Sequence, residues 1–228
     1  MRDLNISFLT LQVPPPFAHG YTISISKKES GWQVGFQLEY LQRDTLTEEE
    51  ILEEGFSGAD DFEWYGALPT VWVKTLDQLL DHTLLKPEKT EEAPNHLFLE
   101  YANNGKSGFP ENLEAWEYLL EELIQAIYEL AERELPFMLH IVRQKSGVDM
   151  RLEAKFATRQ FYLKDSSNTY PWGQLKAVLA QIENFEIDEN PKAKPHKKGS
   201  WLSFDGEHYY EIKSEGAVNK LRDTLESH

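Results

Sequence analysis

Between Tyr21 and Tyr40 the chain alternates apolar and polar residues on either side of a short polar turn, a beat that no helix can satisfy. Tyr21, Ile23 and Ile25 alternate with Thr22, Ser24 and Ser26. After KKESG, the residues Trp32, Val34, Phe36, Leu38 and Tyr40 resume the pattern. Successive strand side chains point to opposite faces, so a two-residue period gathers the apolar ones on one face. The spacing predicts an antiparallel hairpin over 21–41 with that face buried.

The same signature recurs. Phe137, Leu139 and Ile141 lead to a turn at Lys145-Ser146-Gly147, and Val148, Met150, Leu152, Ala154 and Phe156 alternate after it. Phe161 and Leu163 mark a third strand. Trp201, Leu202 and Phe204 precede Asp205-Gly206, and His208, Tyr209, Tyr210 and Ile212 follow; Asp-Gly between two such runs is a hairpin turn. Antiparallel hairpins are therefore predicted over 137–156 and 201–212 as well. Leu97, Leu99 and Tyr101 mark another strand. At the start of the chain Leu4, Ile6 and Phe8 alternate, then Leu9, Leu11 and Val13 take the opposite parity. That switch predicts a bulge or a strand buried on both faces, ended by Pro14, Pro15 and Pro16.

Helices fall between these runs. Thr47 and Glu50 form a capping-box pattern, with Gly55 as the stop. Pro69 opens a helix with Trp72, Leu76, Leu79 and Leu80 on one face. Pro110 opens the longest helix. Its seam runs Leu113, Trp116, Leu120, Leu123, Ile127 and Leu130, and Leu119, Ile124 and Ala131 widen it into a stripe suited to lying on a sheet. Pro171 opens a helix with Leu175, Val178 and Ile182, Phe185 and Ile187 start a short strand, and a last helix uses Val218, Leu221 and Leu225. Strands do not alternate regularly with crossover helices, so the expected class is α+β, with antiparallel hairpins and meanders packed with several helices. The polar loop 86–95 separates an N-terminal βββαα region (1–90) from a C-terminal α+β region (97–228); one compact domain is the alternative. Both halves open with three strands and a helix, over 4–85 and 137–228. That order permits two similar βββα-type halves, although no register of matching residues relates them.

Charge limits the partners. The chain carries 39 acidic and 23 basic residues, a formal net charge of −16. Clustered phosphate contacts need Lys and Arg, so neither nucleic acid nor an anionic membrane surface is an expected partner. A basic protein is. The chain has no cysteine, which removes disulfides, thiolate zinc sites and a cysteine nucleophile and fits a reducing cytoplasm. The first residues, MRDLNISFLTLQVPPP, lack the basic leader and unbroken apolar run of a signal peptide. No paired-histidine zinc motif, glycine-rich phosphate loop or G-x-S-x-G elbow occurs, so no metal and no cofactor are expected.

The segment 54–72, read as an irregular loop, is the strongest site candidate. Asp60, Asp61 and Glu63 lie among Trp64, Tyr65 and further aromatics. Exposed aromatics flanked by acids make an anchor for a partner carrying Lys or Arg. Read chemically, the three carboxylates are also oxygen ligands for a hard cation, but their spacing misses the calcium-loop pattern. The 111–134 helix region adds eight glutamates against one arginine, with Glu117 and Glu121 repelling one turn apart. His140 and His208 fall in predicted strands, where Asp149, Glu153 or Glu211 are the acids within reach. The best-supported function is a non-enzymatic acidic module that regulates or neutralises a basic protein partner, through Asp60, Asp61, Glu63, Trp64 and Tyr65. The alternatives are a carboxylate- and histidine-dependent hydrolase-like enzyme and a structural subunit of a larger assembly.

Overall fold

The computed structural model describes residues 3–89, 94–101, 105–164, 168–214 and 216–226. The chain forms two compact units, Met1–Ala131 and Glu132–His228. Both are α+β with purely antiparallel sheets. The division falls after the long helix rather than in the loop at 86–95, because the strand that follows this loop pairs back onto the first strand of the chain. Residues 90–93 of the loop and 102–104 of the next lie outside the described residues.

In the first unit the elements are β1 (Leu4–Thr10), β2 (His19–Lys28), β3 (Gly31–Tyr40), α1 (Glu48–Glu53), β4 (Phe62–Ala67), α2 (Thr70–Asp81), β5 (Leu85–Lys86), β6 (Asn95–Tyr101), β7 (Ser107–Pro110) and α3 (Leu113–Leu130). They build one seven-stranded sheet in the order β4-β3-β2-β1-β6-β7-β5. The alternation read from the sequence sets its faces: Ile6, Ile23, Phe36 and Leu99 are at most 2% exposed on the face that Trp72, Leu76, Trp116, Leu120 and Leu123 cover. Tyr128 of α3 meets the rings of Phe36 and Phe62 at 6.2 and 5.3 Å, laying that end of α3 over β3 and β4. At the other end Asn95 donates to Glu117 at 2.8 Å, and the Trp116 indole donates to Thr83 at 2.9 Å. Burial, reinforced by Glu117 and Glu121, pushes the Tyr21 phenol far above its ordinary range. Pro110 ends β7 instead of opening α3, which starts at Leu113 behind Asn112. Glu132 and Glu134 lie past the end of that helix, and both are exposed.

The second unit contains β8 (Phe137–Arg143), β9 (Val148–Lys155), β10 (Gln160–Leu163), β11 (Thr169–Tyr170), α4 (Gly173–Glu183), β12 (Ser200–Ser203), β13 (Tyr210–Ile212) and α5 (Ala217–Glu226). Its six-stranded sheet runs β11-β10-β9-β8-β12-β13. Leu139, Ile141, Leu152, Ala154 and Leu202 form its core with Leu175, Val178, Val218 and Leu221, all at most 1% exposed. Arg143 donates to Asn219 of α5 at 3.1 Å, fixing the helical side of the sheet. The expected strand at Phe185 and Ile187 is a single bridge, Ile187 to Ile212.

The three predicted hairpins are antiparallel as expected. The sheets reveal more: each unit is a four-strand meander, a helix, a short segment, a hairpin-like strand pair and a final helix. In each, the pair adds to the far side of the meander's first strand, β6 on β1 and β12 on β8. In each, the short segment after the first helix borders the outermost strand: β5 pairs with β7, and Ile187 and Lys192 bridge to Ile212 and Tyr209 beside β13. The first unit differs by inserting α1 between β3 and β4. Three strands precede the first α-helix in the first unit and four precede it in the second.

Candidate functional site

Within the segment expected to be an irregular loop, Phe62–Ala67 is an edge strand and Thr70–Trp72 open α2. Phe62, Trp64 and Gly66 turn toward the helices and are half-buried, while Glu63, Tyr65 and Ala67 are exposed on the opposite face. Two glycine-flanked aromatics and a cluster of acids hide a plain period-2 pattern. β4 pairs with β3 on one side only, from Phe62 opposite Leu38 to Ala67 opposite Gln33.

Ladder phase decides what the other side offers. The Leu68 amide donates to Trp32 O at 2.9 Å, so the even-numbered residues of β4 spend their backbone groups on β3. At the opposite end the Tyr40 amide donates to the Asp61 carboxylate at 2.8 Å, where the ladder would otherwise continue. Glu63, Tyr65 and Ala67 therefore aim their N–H and C=O groups away from β3, on a side where no strand among the described residues pairs with them. Their side chains share the face away from the helices, and Tyr65 is 63% exposed. Gly35, directly opposite Tyr65, has no side chain to prop that ring away from the sheet, and the Tyr65 ring lies close over it.

The five predicted residues divide into two kinds. Glu63 and Tyr65 are presented to solvent, whereas Trp64 is half-buried with its indole against Gly66. Asp60 and Asp61 also accept hydrogen bonds within the chain, and Asp61 is exposed. Asp60 accepts the Ser57 amide and hydroxyl, each at 2.7 Å, and Arg43 at 2.9 Å. Burial would raise the Asp60 carboxyl, but these bonds outweigh it and hold it below the usual carboxylate range. Arg43 is the residue that sequence reasoning missed. It also donates to Pro16 O and Ser57 O and lies over the rings of Tyr40 and Phe56, at 3.7 and 4.6 Å from their centroids. Its signal was weak but present: one arginine amid the acids of 39–63.

Arg43 gathers a second surface beside the edge. Phe17 packs edge-on against Phe56 at 5.3 Å, and the loop leading to it exposes Leu11, Val13 and Phe17 by 38–46%. β1 ends at Thr10, so the opposite-parity residues Leu9, Leu11 and Val13 are neither bulged nor buried on both faces. They are an apolar surface beside acids. Between Glu39 and Glu63 the exposed residues Asp44, Glu48, Glu49, Glu53 and Glu54 accompany Leu52, which is 57% exposed. Charge follows the same division as the fold: residues 1–131 hold 24 acidic and 8 basic residues, and 132–228 hold 15 of each. The whole net charge of the chain belongs to the first unit.

Asp60, Asp61 and Glu63 do not converge, and among the described residues no group of three or more His, Asp or Glu is placed to hold a metal ion. No helix among them is long and apolar enough to cross a membrane. Comparison with family models, with curated proteins and with solved structures gives no match.

Proposed function

We propose that this chain is a protein-binding module that regulates or neutralises a basic partner, and that the partner lays an extended segment along the free edge of β4. The observation that carries this reading is the edge itself: three exposed residues with outward backbone groups, an exposed Tyr65 and an acid, Glu63, as the only charge on the strand. Edge strands are ordinarily guarded by lysine, proline, bulges or a covering loop. Phe62–Ala67 contains neither lysine nor proline, and its outward charge is Glu63. Added strands gain affinity from main-chain hydrogen bonds and specificity from alternate side chains. A partner strand with Lys or Arg on the exposed face would meet Glu63 and Glu39, and an arginine there would stack on Tyr65. The acids of the first unit would steer its approach. A cysteine-free chain suits a reducing cytoplasm as the place of encounter.

The test is amide hydrogen exchange with the partner recovered by affinity capture. Protection should appear at the amides of Glu63, Tyr65 and Ala67, and Tyr65→Pro should abolish capture. Proline at 65 removes an outward donor together with the Tyr65 ring and leaves the β3 ladder whole, and Tyr65→Ala, which keeps the donor, separates the two losses. Equal capture by wild type and Tyr65→Pro, with both folded, would move the binding surface elsewhere.

A further inference from the structure

The face of the second sheet opposite α4 and α5 holds a pocket of about 310 Å3, lined by His140, Arg151, Lys164, Asp205 and Tyr209 among others. His140 is 7% exposed, yet both ring nitrogens are bonded. Nε2 lies 2.8 Å from Asp149 Oδ1 and Nδ1 lies 3.0 Å from the Tyr209 hydroxyl. A carboxylate only accepts, so the network assigns the proton of the neutral imidazole to Nε2. Nδ1 is then the acceptor, and Tyr209 donates to it. The donor chain runs Tyr209 to His140 to Asp149, and the phenol has spent its hydrogen inward.

An anion reaching that hydroxyl meets lone pairs unless the chain reverses. Reversal needs one proton. The imidazole takes it, Nδ1–H donates to the Tyr209 oxygen, and the phenolic O–H swings to the anion. Asp149 keeps its bond to Nε2 throughout, and the pocket gains a positive charge as the negative one arrives.

We propose that this pocket binds a tetrahedral oxyanion of the phosphate type, held by Tyr209, Arg151 and Lys164 with uptake of one proton at His140. The cations are placed for it. Arg151 stands directly opposite His140 in the β8–β9 register, and the Lys164 amide bonds to Arg151 O at 2.7 Å, so both stems rise beside the imidazole. Arginine and lysine both make charge-assisted hydrogen bonds to phosphate-type oxygens. Acids border both cations, and an arriving anion competes with them. Asp149 lies 3.9 Å from the Arg151 Nε, and Glu153 accepts the Tyr162 hydroxyl and lies 3.4 Å from the Lys164 Nζ. Asp205, on the turn between β12 and β13, accepts from Ser203, from the Glu207 and His208 amides, and from the His208 ring. Its charge is held within its own turn. The site lies in the charge-balanced unit and is independent of the partner proposed for β4.

The test is calorimetric titration of the full chain with sulfate, which carries no titrating proton near neutrality, and with inorganic phosphate. Sulfate should bind once, more tightly as pH falls, with a buffer-dependent enthalpy that reports proton uptake. Nitrogen-15 NMR should show His140 Nδ1 changing from acceptor to protonated as sulfate is added. Tyr209→Phe should abolish the uptake and weaken binding about tenfold, the loss of one charge-assisted hydrogen bond. Arg151→Gln with Lys164→Gln should weaken it further and keep the uptake. If Tyr209→Phe fails to fold, the NMR change in the wild type stands as the measurement. Unsaturable sulfate binding, or saturation with His140 Nδ1 unchanged, overturns the proposal.

Discussion

Arg43 donates from Nη1 to Asp60 at 2.9 Å, and the same nitrogen reaches Ser57 O at 2.7 Å. One guanidinium thereby fastens the turn before β4 to the turn before β2, since its Nε also holds Pro16 O at 3.2 Å. Both partners are shielded, with side chains 12% and 23% exposed. This pair sets where the edge strand begins, so it positions the proposed binding surface without belonging to it.

Replacing Asp60 by alanine should therefore destabilise the first unit by about 2–4 kcal/mol, because a half-buried guanidinium loses its counter-charge. Asp60→Asn should cost less. The pH dependence follows from the lowered carboxyl. Its contribution is fully present above the unfolded-state value, about 3.9, and is lost as pH falls through the lower folded value. Urea denaturation across the acid range, wild type against Asp60→Asn, reads this directly: the variant's curve should lose its steepest acid dependence.

His208 should titrate above its ordinary value. The hydrogen bond and charge of Asp205 raise it, and the turn's amides hold Asp205 far below the usual carboxylate range. A raised histidine favours the folded state below its unfolded value, and that contribution is lost as pH rises through the folded one. NMR titration should show the upward shift, and Asp205→Asn should remove it.

Much of the fold could be read directly. Period-2 runs at Tyr21–Tyr40 and Val148–Phe156 fix strand, face and partner together, because one residue of slip would turn every apolar side chain outward. What escaped was carried by long-range pairing. Asn95–Tyr101 lies beyond a polar loop that looks like a boundary, yet it pairs with Leu4–Thr10, and no local pattern encodes a partner that distant. β4 escaped because Gly66 and its acids resemble turn chemistry, although they sit on an edge where one ladder suffices. At the proposed site, residue type singled out Tyr65 and Glu63, and only the strand pairing shows that both face solvent. Only geometry could assign Asp60 to Arg43, or join His140 to Tyr209, 69 residues away.

Gly66→Ala tests the inner face of the edge strand. A Cβ there would land inside the Trp64 indole, which must leave its place between the strand and the helices. The expected cost is about 1–3 kcal/mol, as for other overpacking changes. Trp64→Leu in the same chain should make the two losses less than additive, since the smaller side chain vacates the contested space. Guanidinium denaturation of the two single variants and the double variant measures the coupling. Strict additivity would show that the indole does not lie over Gly66 in solution.

Salt should act on the two units differently. Residues 1–131 carry 24 acidic against 8 basic residues, while 132–228 carry 15 of each. Like charges on a compact surface repel, and the repulsion relaxes on unfolding, so the first unit is strained by its own field. Raising ionic strength from about 10 mM to about 200 mM shortens the screening length from about 30 Å to below 10 Å and weakens that repulsion. Hydrogen exchange at several salt concentrations can follow each unit within the intact chain. Slowly exchanging amides of β1, β2 and β3 should gain protection with salt, and those of β8 and β9 should change little. The same salt should weaken capture of the basic partner by slowing association, because screening removes the steering field. Stability of the first unit and affinity for its partner should thus move in opposite directions as salt rises. Parallel movement would mean that the acidic surface is not what the partner reads.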